Sequence, residues 1–222
     1  MLQPASLHLP GHGIKPRLRG LSHLAAFFTA LGAGAVLVSV APSPRAAVAA
    51  LVYSLGLAGM YGTSGLYHVP TWSQRARLRM RRLDHAMIFV QIAGTYTPLC
   101  LLALPQPLGA QLLAAVWLGA GLGMVRAMAW AKPPRWLTAG LYLALGWAAV
   151  LSFKELLTGL GPTGLLLIAL GGLIYSAGAV VYALRRPNPW PRVFGYHEVF
   201  HVLVIVASVL HFIVVRRVVI GA

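Results

Sequence analysis

Charge is scarce in this chain of 222 residues: 9% of them are charged and 59% hydrophobic, whereas a soluble domain carries about 25% charged residues. With a mean hydropathy of +0.77, water cannot be its main solvent. Cysteine is scarcer still, Cys100 being alone, which excludes an internal disulfide and any cysteine-based zinc cluster. A bound metal would have to use His, Asp or Glu. Acids number three, Asp84, Glu155 and Glu198, against 18 Lys and Arg. The net charge of +15 does not imply a nucleic-acid partner, because that reading needs basic residues and stacking aromatics on a soluble face. Here the arginines punctuate apolar spans. The first 21 residues, rich in Pro, Gly, Lys and Arg, contain no apolar core, so no cleavable signal peptide is expected and the first helix should direct insertion.

What is present in abundance is apolar sequence of bilayer-spanning length, about 20 residues per span. Seven spans are expected, at approximately 22 to 41, 46 to 68, 84 to 104, 108 to 129, 136 to 153, 163 to 184 and 194 to 215. Proline or glycine separates them at Pro42 and Pro44, Pro70, Pro105 and Pro107, Pro133 and Pro134, Gly161 and Pro162, and Pro187 and Pro189. The expected fold class is therefore an all-α integral membrane protein of seven transmembrane helices. Residues 1–21 form a cytoplasmic segment, 22–215 the membrane domain and 216–222 a short external tail.

Lys and Arg collect in short cytoplasmic loops. Of the 18, all but Arg45, Lys154, Arg216 and Arg217 fall on the side of the N-terminus. This places the N-terminus in the cytoplasm and, with an odd helix count, the C-terminus outside. The same rule explains the net charge, although the five arginines between positions 75 and 82 are also suited to contact anionic lipids.

Two of the three acids stand beside histidines at a predicted membrane boundary, where polar side chains are costly and mark functional positions. The second span ends Ser64-Gly65-Leu66-Tyr67-His68, the third begins Arg81-Arg82-Leu83-Asp84-His85, and the seventh begins Tyr196-His197-Glu198-Val199-Phe200-His201. In the expected topology these segments meet at one membrane depth. His197 and His201 are four apart, so a helix stacks them on one face about 6 Å apart along its axis. With His68 as third ligand, an open fourth position would suit a catalytic rather than a structural zinc site. Ser64, one turn before His68, is placed to orient that ring or a bound water. Asp84 is placed to act as general base.

Each residue also has a blander reading. A lone membrane histidine more often bonds helix to helix, and Ser64 can bond its own backbone. Asp84 following an arginine run reads equally as an N-cap paired with Arg81 or Arg82. Taken together, however, the His and acid positions at one depth favour a metal. His23 and His85 are read as interfacial rather than second-shell groups. His211 is about 15 Å beyond His201 along a helix, and is read as a packing or hydrogen-bonding residue. Arg126, Trp130 and Trp136 read as interfacial anchors, and Gly171, Gly172 and Gly178 as close-packing positions. A competing motif is His197-Glu198-x-x-His201, the zinc-protease signature in which the Glu activates a water. Such proteins normally find a further ligand downstream, and here only His211 follows, out of reach.

At these residues the chain resembles the hemolysin III family, the bacterial branch of the progestin and adipoQ receptor group that includes the adiponectin receptors. Four pieces carry the resemblance: Lys15-Pro16-Arg17-Leu18-Arg19-Gly20-Leu21-Ser22-His23; Ser64-x-x-x-His68; Leu83-Asp84 with Ile92-Ala93-Gly94-Thr95-Tyr96-Thr97-Pro98; and Gly195-Tyr196-His197-Glu198-Val199-Phe200-His201 running on to His211-Phe212. The resemblance implies a barrel-like seven-helix bundle and zinc held by the histidines at 68, 197 and 201. It also implies Asp84 on a zinc-bound water with Ser64 nearby, and a multi-pass place in the cell inner (plasma) membrane. One stretch departs: many members open helix 1 with an acid and an asparagine, where this chain has Arg19-Gly20-Leu21-Ser22-His23. The leading expectation is a zinc-dependent hydrolase of a lipid amide or ester, as relatives with ceramidase-like activity suggest, with membrane lipids as partners. The alternatives are a non-enzymatic, zinc-stabilised signalling or membrane-homeostasis protein and, from the family's name, a cytolytic one.

Overall fold

The computed structural model describes residues 15–130 and 132–222; the remainder of the predicted cytoplasmic segment, 1–14, lies outside the described residues. Every extended element among them is helical, with one isolated bridge between Trp190 and Phe194. The helices are α1 (Leu21–Ser39), α2 (Pro44–His68), α3 (Gln74–Pro98), α4 (Leu108–Ala129), α5 (Arg135–Gly146), α6 (Phe153–Leu184) and α7 (Tyr196–Ile220). Six helical segments are long and apolar enough to cross a membrane, because the run Arg135–Leu184 is continuous over 50 residues.

That run nevertheless folds back on itself. Inside it, Trp147–Ser152 tightens to a 3-10 turn, and Gly161 adopts φ 68°, ψ 170°, ahead of Pro162. The positive φ suits glycine, and proline removes a backbone donor from the helix. A straight helix would separate Trp147 from Ser176 by about 43 Å. Instead the Trp147 indole N–H donates to the Ser176 hydroxyl at 3.0 Å, so the chain reverses at Gly161.

α3 begins ten residues earlier than the hydropathy pattern predicts. Ser73 caps it by accepting the Ala76 N–H at 3.4 Å, and the arginines from 75 to 82 form its opening turns. Asp84 is therefore inside the helix, which corrects its reading as an N-cap. At its far end Pro98 is followed by a wide turn over Leu99–Ala103, closed by the Leu104 N–H on the Leu99 carbonyl at 3.1 Å.

α2 and α3 lie innermost, each with 56% of its spanning window buried. One core joins α1, α2 and α7 around Tyr53, Leu57, Met60 and Val215; the other joins α3 and α4 to Leu156 around Phe89, Tyr96 and Val116. The outer helices turn Phe28, Leu118, Leu122 and Leu151 outward, the pattern of a lipid-facing surface. Across the interior, Ser208 of α7 donates to its own Val204 carbonyl at 2.5 Å. Its single proton thus committed, it accepts from Tyr61 of α2 at 2.7 Å and from Tyr175 of α6 at 3.0 Å. One hydroxyl thereby ties three helices together at the buried centre.

Candidate metal centre

α2 ends in His68 and α7 begins one residue before His197. Because the two helices bring these ends to the same side of the bundle, the imidazoles of His68, His197 and His201 converge. One ring nitrogen from each lies within 4.8 Å of the other two. The i, i+4 spacing on α7 holds the His197 and His201 ring centres 4.6 Å apart. His68 Nε2 faces His197 Nε2 at 3.0 Å, the separation of a hydrogen bond between the two rings. His201 is 1% exposed, and its Nδ1 is buried with no hydrogen-bond partner among the described residues. A buried imidazole nitrogen left unpaired is costly. Three neutral imidazoles form a donor set that zinc and neighbouring divalent ions accept; the residues fit a metal.

The surrounding shell differs from the sequence expectation in one important place. His23, read as interfacial, is 3% exposed and lies flat on His201, ring centres 3.7 Å apart and planes 9° apart. Its Nδ1 contacts the Ser64 hydroxyl at 2.8 Å, so Ser64 bonds another helix rather than its own backbone. Asp84 lines the same cavity as Ser64 and His23. Thus α1, α2 and α3 contribute a contiguous His23, Ser64, Asp84 row beside the three-histidine cluster. Single-helix patterns cannot reveal such a row, since each residue is isolated on its own helix.

Glu198 does not play the protease role that the His-Glu-x-x-His spelling suggests. It is 2% exposed, pairs with Arg19, and accepts the Gly195 N–H at 2.7 Å as a cap for α7. Both carboxylate oxygens are thereby engaged away from the imidazoles. Arg19, counted from sequence only among the topology-setting charges, is the partner that was missed.

A cavity of about 370 Å³ lies within the bundle, and His23, Ser64, Asp84, His85, His197 and His201 are on its wall. Its other walls are mainly apolar side chains from α3, α5, α6 and α7. His85 also receives Tyr182, whose hydroxyl is 3.4 Å from its Nε2. His211 reaches the same cavity but uses Nε2 on the Ile168 carbonyl at 3.1 Å, in keeping with a packing and hydrogen-bonding role. It packs on Gly171, where a Cβ would come within 2.4 Å of its ring. Arg126 stands 5.7 Å from the centre of the Trp130 ring and donates to the Thr138 hydroxyl at 2.9 Å, and Trp136 is 71% exposed. Outside the membrane helices, partial burial followed by the nearby Arg77 and Arg19 charges lowers the Lys15 ammonium from its ordinary value.

The chain is 32% identical to a hemolysin-3 homolog of Bacillus subtilis (strain 168) over 161 residues, covering 72% of each protein. It is 32% identical to hemolysin-3 of Bacillus cereus over 169 residues, covering 75% of this chain and 73% of that one. A heptahelical transmembrane protein of Oryza sativa subsp. japonica, ADIPOR2, is 32% identical over 161 residues, 64% of this chain and 69% of that one. A family model described as haemolysin-III related matches residues 12–212. With that coverage and six helices fit to cross a bilayer, the chain is a multi-pass plasma-membrane protein that belongs to the haemolysin-III related family.

Proposed function

We propose that this chain holds one zinc ion through His68, His197 and His201 and hydrolyses an amide or ester bond of a membrane lipid. The observation carrying the reading is three convergent imidazoles, two of which, His197 and His201, line a cavity whose wall also contains Asp84. Zinc bound there would supply Lewis-acid polarisation of a carbonyl and a water acidified toward neutral pKa. The rest is done by the chain. Asp84 accepts the proton of the attacking water. Ser64, held by His23 at 2.8 Å, fixes the position of the Asp84 carboxyl. The apolar walls take the hydrocarbon part of the substrate and exclude bulk water.

A second reading has a specific observation behind it: the three histidines come from only two helices, α2 and α7, so an ion there pins them whether or not chemistry follows. Structural zinc can contribute on the order of 10 kcal/mol in small peptides. Incubating the purified protein with amide-linked and ester-linked lipids, with and without a chelator, separates the two. Hydrolysis abolished by the chelator and restored by zinc supports the enzyme. Zinc at one per chain, a lower melting temperature on chelation, and no turnover would assign the structural role instead.

The topology that goes with this reading has seven crossings, the 50-residue run Arg135–Leu184 supplying two by its reversal at Gly161. The N-terminus is cytoplasmic and the C-terminus outside, as the Lys and Arg distribution implies. A reporter that is active only outside the cytoplasm, fused after Ala222, is expected to be active. A silent C-terminal fusion with an active one in the connection between α6 and α7 would reverse the assignment.

A further inference from the structure

Residues 15–20 lie beside the histidine cluster without contributing a ligand, yet they touch both helices that do. On the α7 side, the Arg17 N–H donates to the Arg192 carbonyl at 3.0 Å and the Leu18 N–H to the Val193 carbonyl at 3.1 Å. Arg19 pairs with Glu198, the residue that follows His197. On the α2 side, Lys15 Nζ donates to the Val69 carbonyl at 3.1 Å, one residue past His68. Gly20 completes the contact. Its φ is +84°, and a Cβ there would stand 2.5 Å from the His68 Cβ, so both conformation and space require glycine.

We propose that residues 15–20 are a clasp that positions the metal ligands, fixing the cytoplasmic end of α2 against the first turn of α7. The proposal rests on the metal reading above. α2 meets α1 and α3 over long faces but α7 over a short one, so direct packing alone leaves the separation of His68 from His197 weakly determined. The clasp adds a constraint at this end through two backbone bonds, one side-chain hydrogen bond, one ion pair and one close approach. Glu198 makes the link rigid, because one of its oxygens accepts the Gly195 N–H while the other holds Arg19. Partners that orient ligands commonly change metal affinity about 10- to 100-fold when removed.

The test uses the full-length protein in detergent and follows zinc loss to excess chelator. Arg19→Ala and Glu198→Gln are each expected to speed that loss about 10- to 100-fold. The double variant should be no faster than the faster single, since both remove one interaction. Arg19→Lys, which keeps the charge, should recover much of the native rate. Thr97→Ala is the control for destabilisation alone: it deprives the Trp117 indole N–H of its acceptor between α3 and α4, so it should lower the melting temperature without speeding zinc loss.

A second measurement does not need the metal. Spin labels at Leu66→Cys and Val202→Cys, on the exposed faces of α2 and α7, in a Cys100→Ser background, report the separation of the two helices. The distance distribution should be narrow natively and broaden with Arg19→Ala. Unchanged zinc loss together with an unchanged distribution would overturn the clasp. If the native protein holds no zinc, the metal reading fails, and the distance distribution alone decides the clasp.

Discussion

His68→Ala should reduce bound zinc from about one ion per chain to nearly none, and the double change His197→Ala, His201→Ala should do the same. Each removes at least one of the three nitrogens that lie within 4.8 Å of one another, leaving too few donors for a tetrahedral zinc site. Since losing a mere orienting partner costs about 10- to 100-fold in affinity, losing a ligand should cost more than about 100-fold. Metal analysis by mass spectrometry after extensive dialysis reads the result directly. His211→Ala is the matched control, because that ring is bound to the Ile168 carbonyl about 15 Å along α7 from His201. Zinc retained at full stoichiometry in both ligand variants, or absent from carefully unchelated native protein, would return the histidines to helix-to-helix hydrogen bonding and remove the basis for hydrolysis.

Asp84→Asn separates chemistry from metal binding. The carboxyl is inside α3, on the wall of the cavity that Ser64, His197 and His201 also line. Among the described residues the ion pair formed is Arg19 with Glu198, so neither Arg81 nor Arg82 claims Asp84 as the N-cap reading required. A positioned general base contributes about 10² to 10⁴ in rate. The asparagine variant, nearly isosteric and unable to accept the proton, should lose that factor in kcat while zinc content stays native. Turnover on the lipid substrate found by the chelation screen is the measurement, and unchanged turnover would sink the role given to Asp84.

The proximity of His68, His197 and His201 was legible in the sequence because it needed only two ingredients. One was an i, i+4 pair on a helix; the other was the side of the membrane on which each helix ends. Both are encoded locally, by spacing and by the placement of Lys and Arg. The start of α3 was not legible, because hydropathy sees only the part of a helix suited to lipid. Arginines 75 to 82 extend the helix in a composition that such a window discards. Within Arg135–Leu184 the helical geometry breaks at Gly161, ahead of Pro162, where the sequence separated the fifth and sixth spans. His23 was undervalued for a different reason. Its partners Ser64 and His201 belong to α2 and α7, and packing of one ring face on another leaves no periodic trace. Glu198 was read through its neighbours in sequence, whereas its ion-pair partner Arg19 stands 179 positions away.

That separation bears on how the protein is made. His68 must wait for His197, 129 positions later, and ribosomes add about 5–20 residues per second, so roughly 6–26 s pass with the first ligand in the membrane and its partners not yet synthesised. Residues 15–20 wait longer still for Arg192 and Glu198. The site can close only after the last helix has left the ribosome and inserted. On the proposed reading, metal capture would come at the end of biogenesis, and a chain that stops short of α7 would carry one lone ligand, which would distinguish finished molecules from interrupted ones.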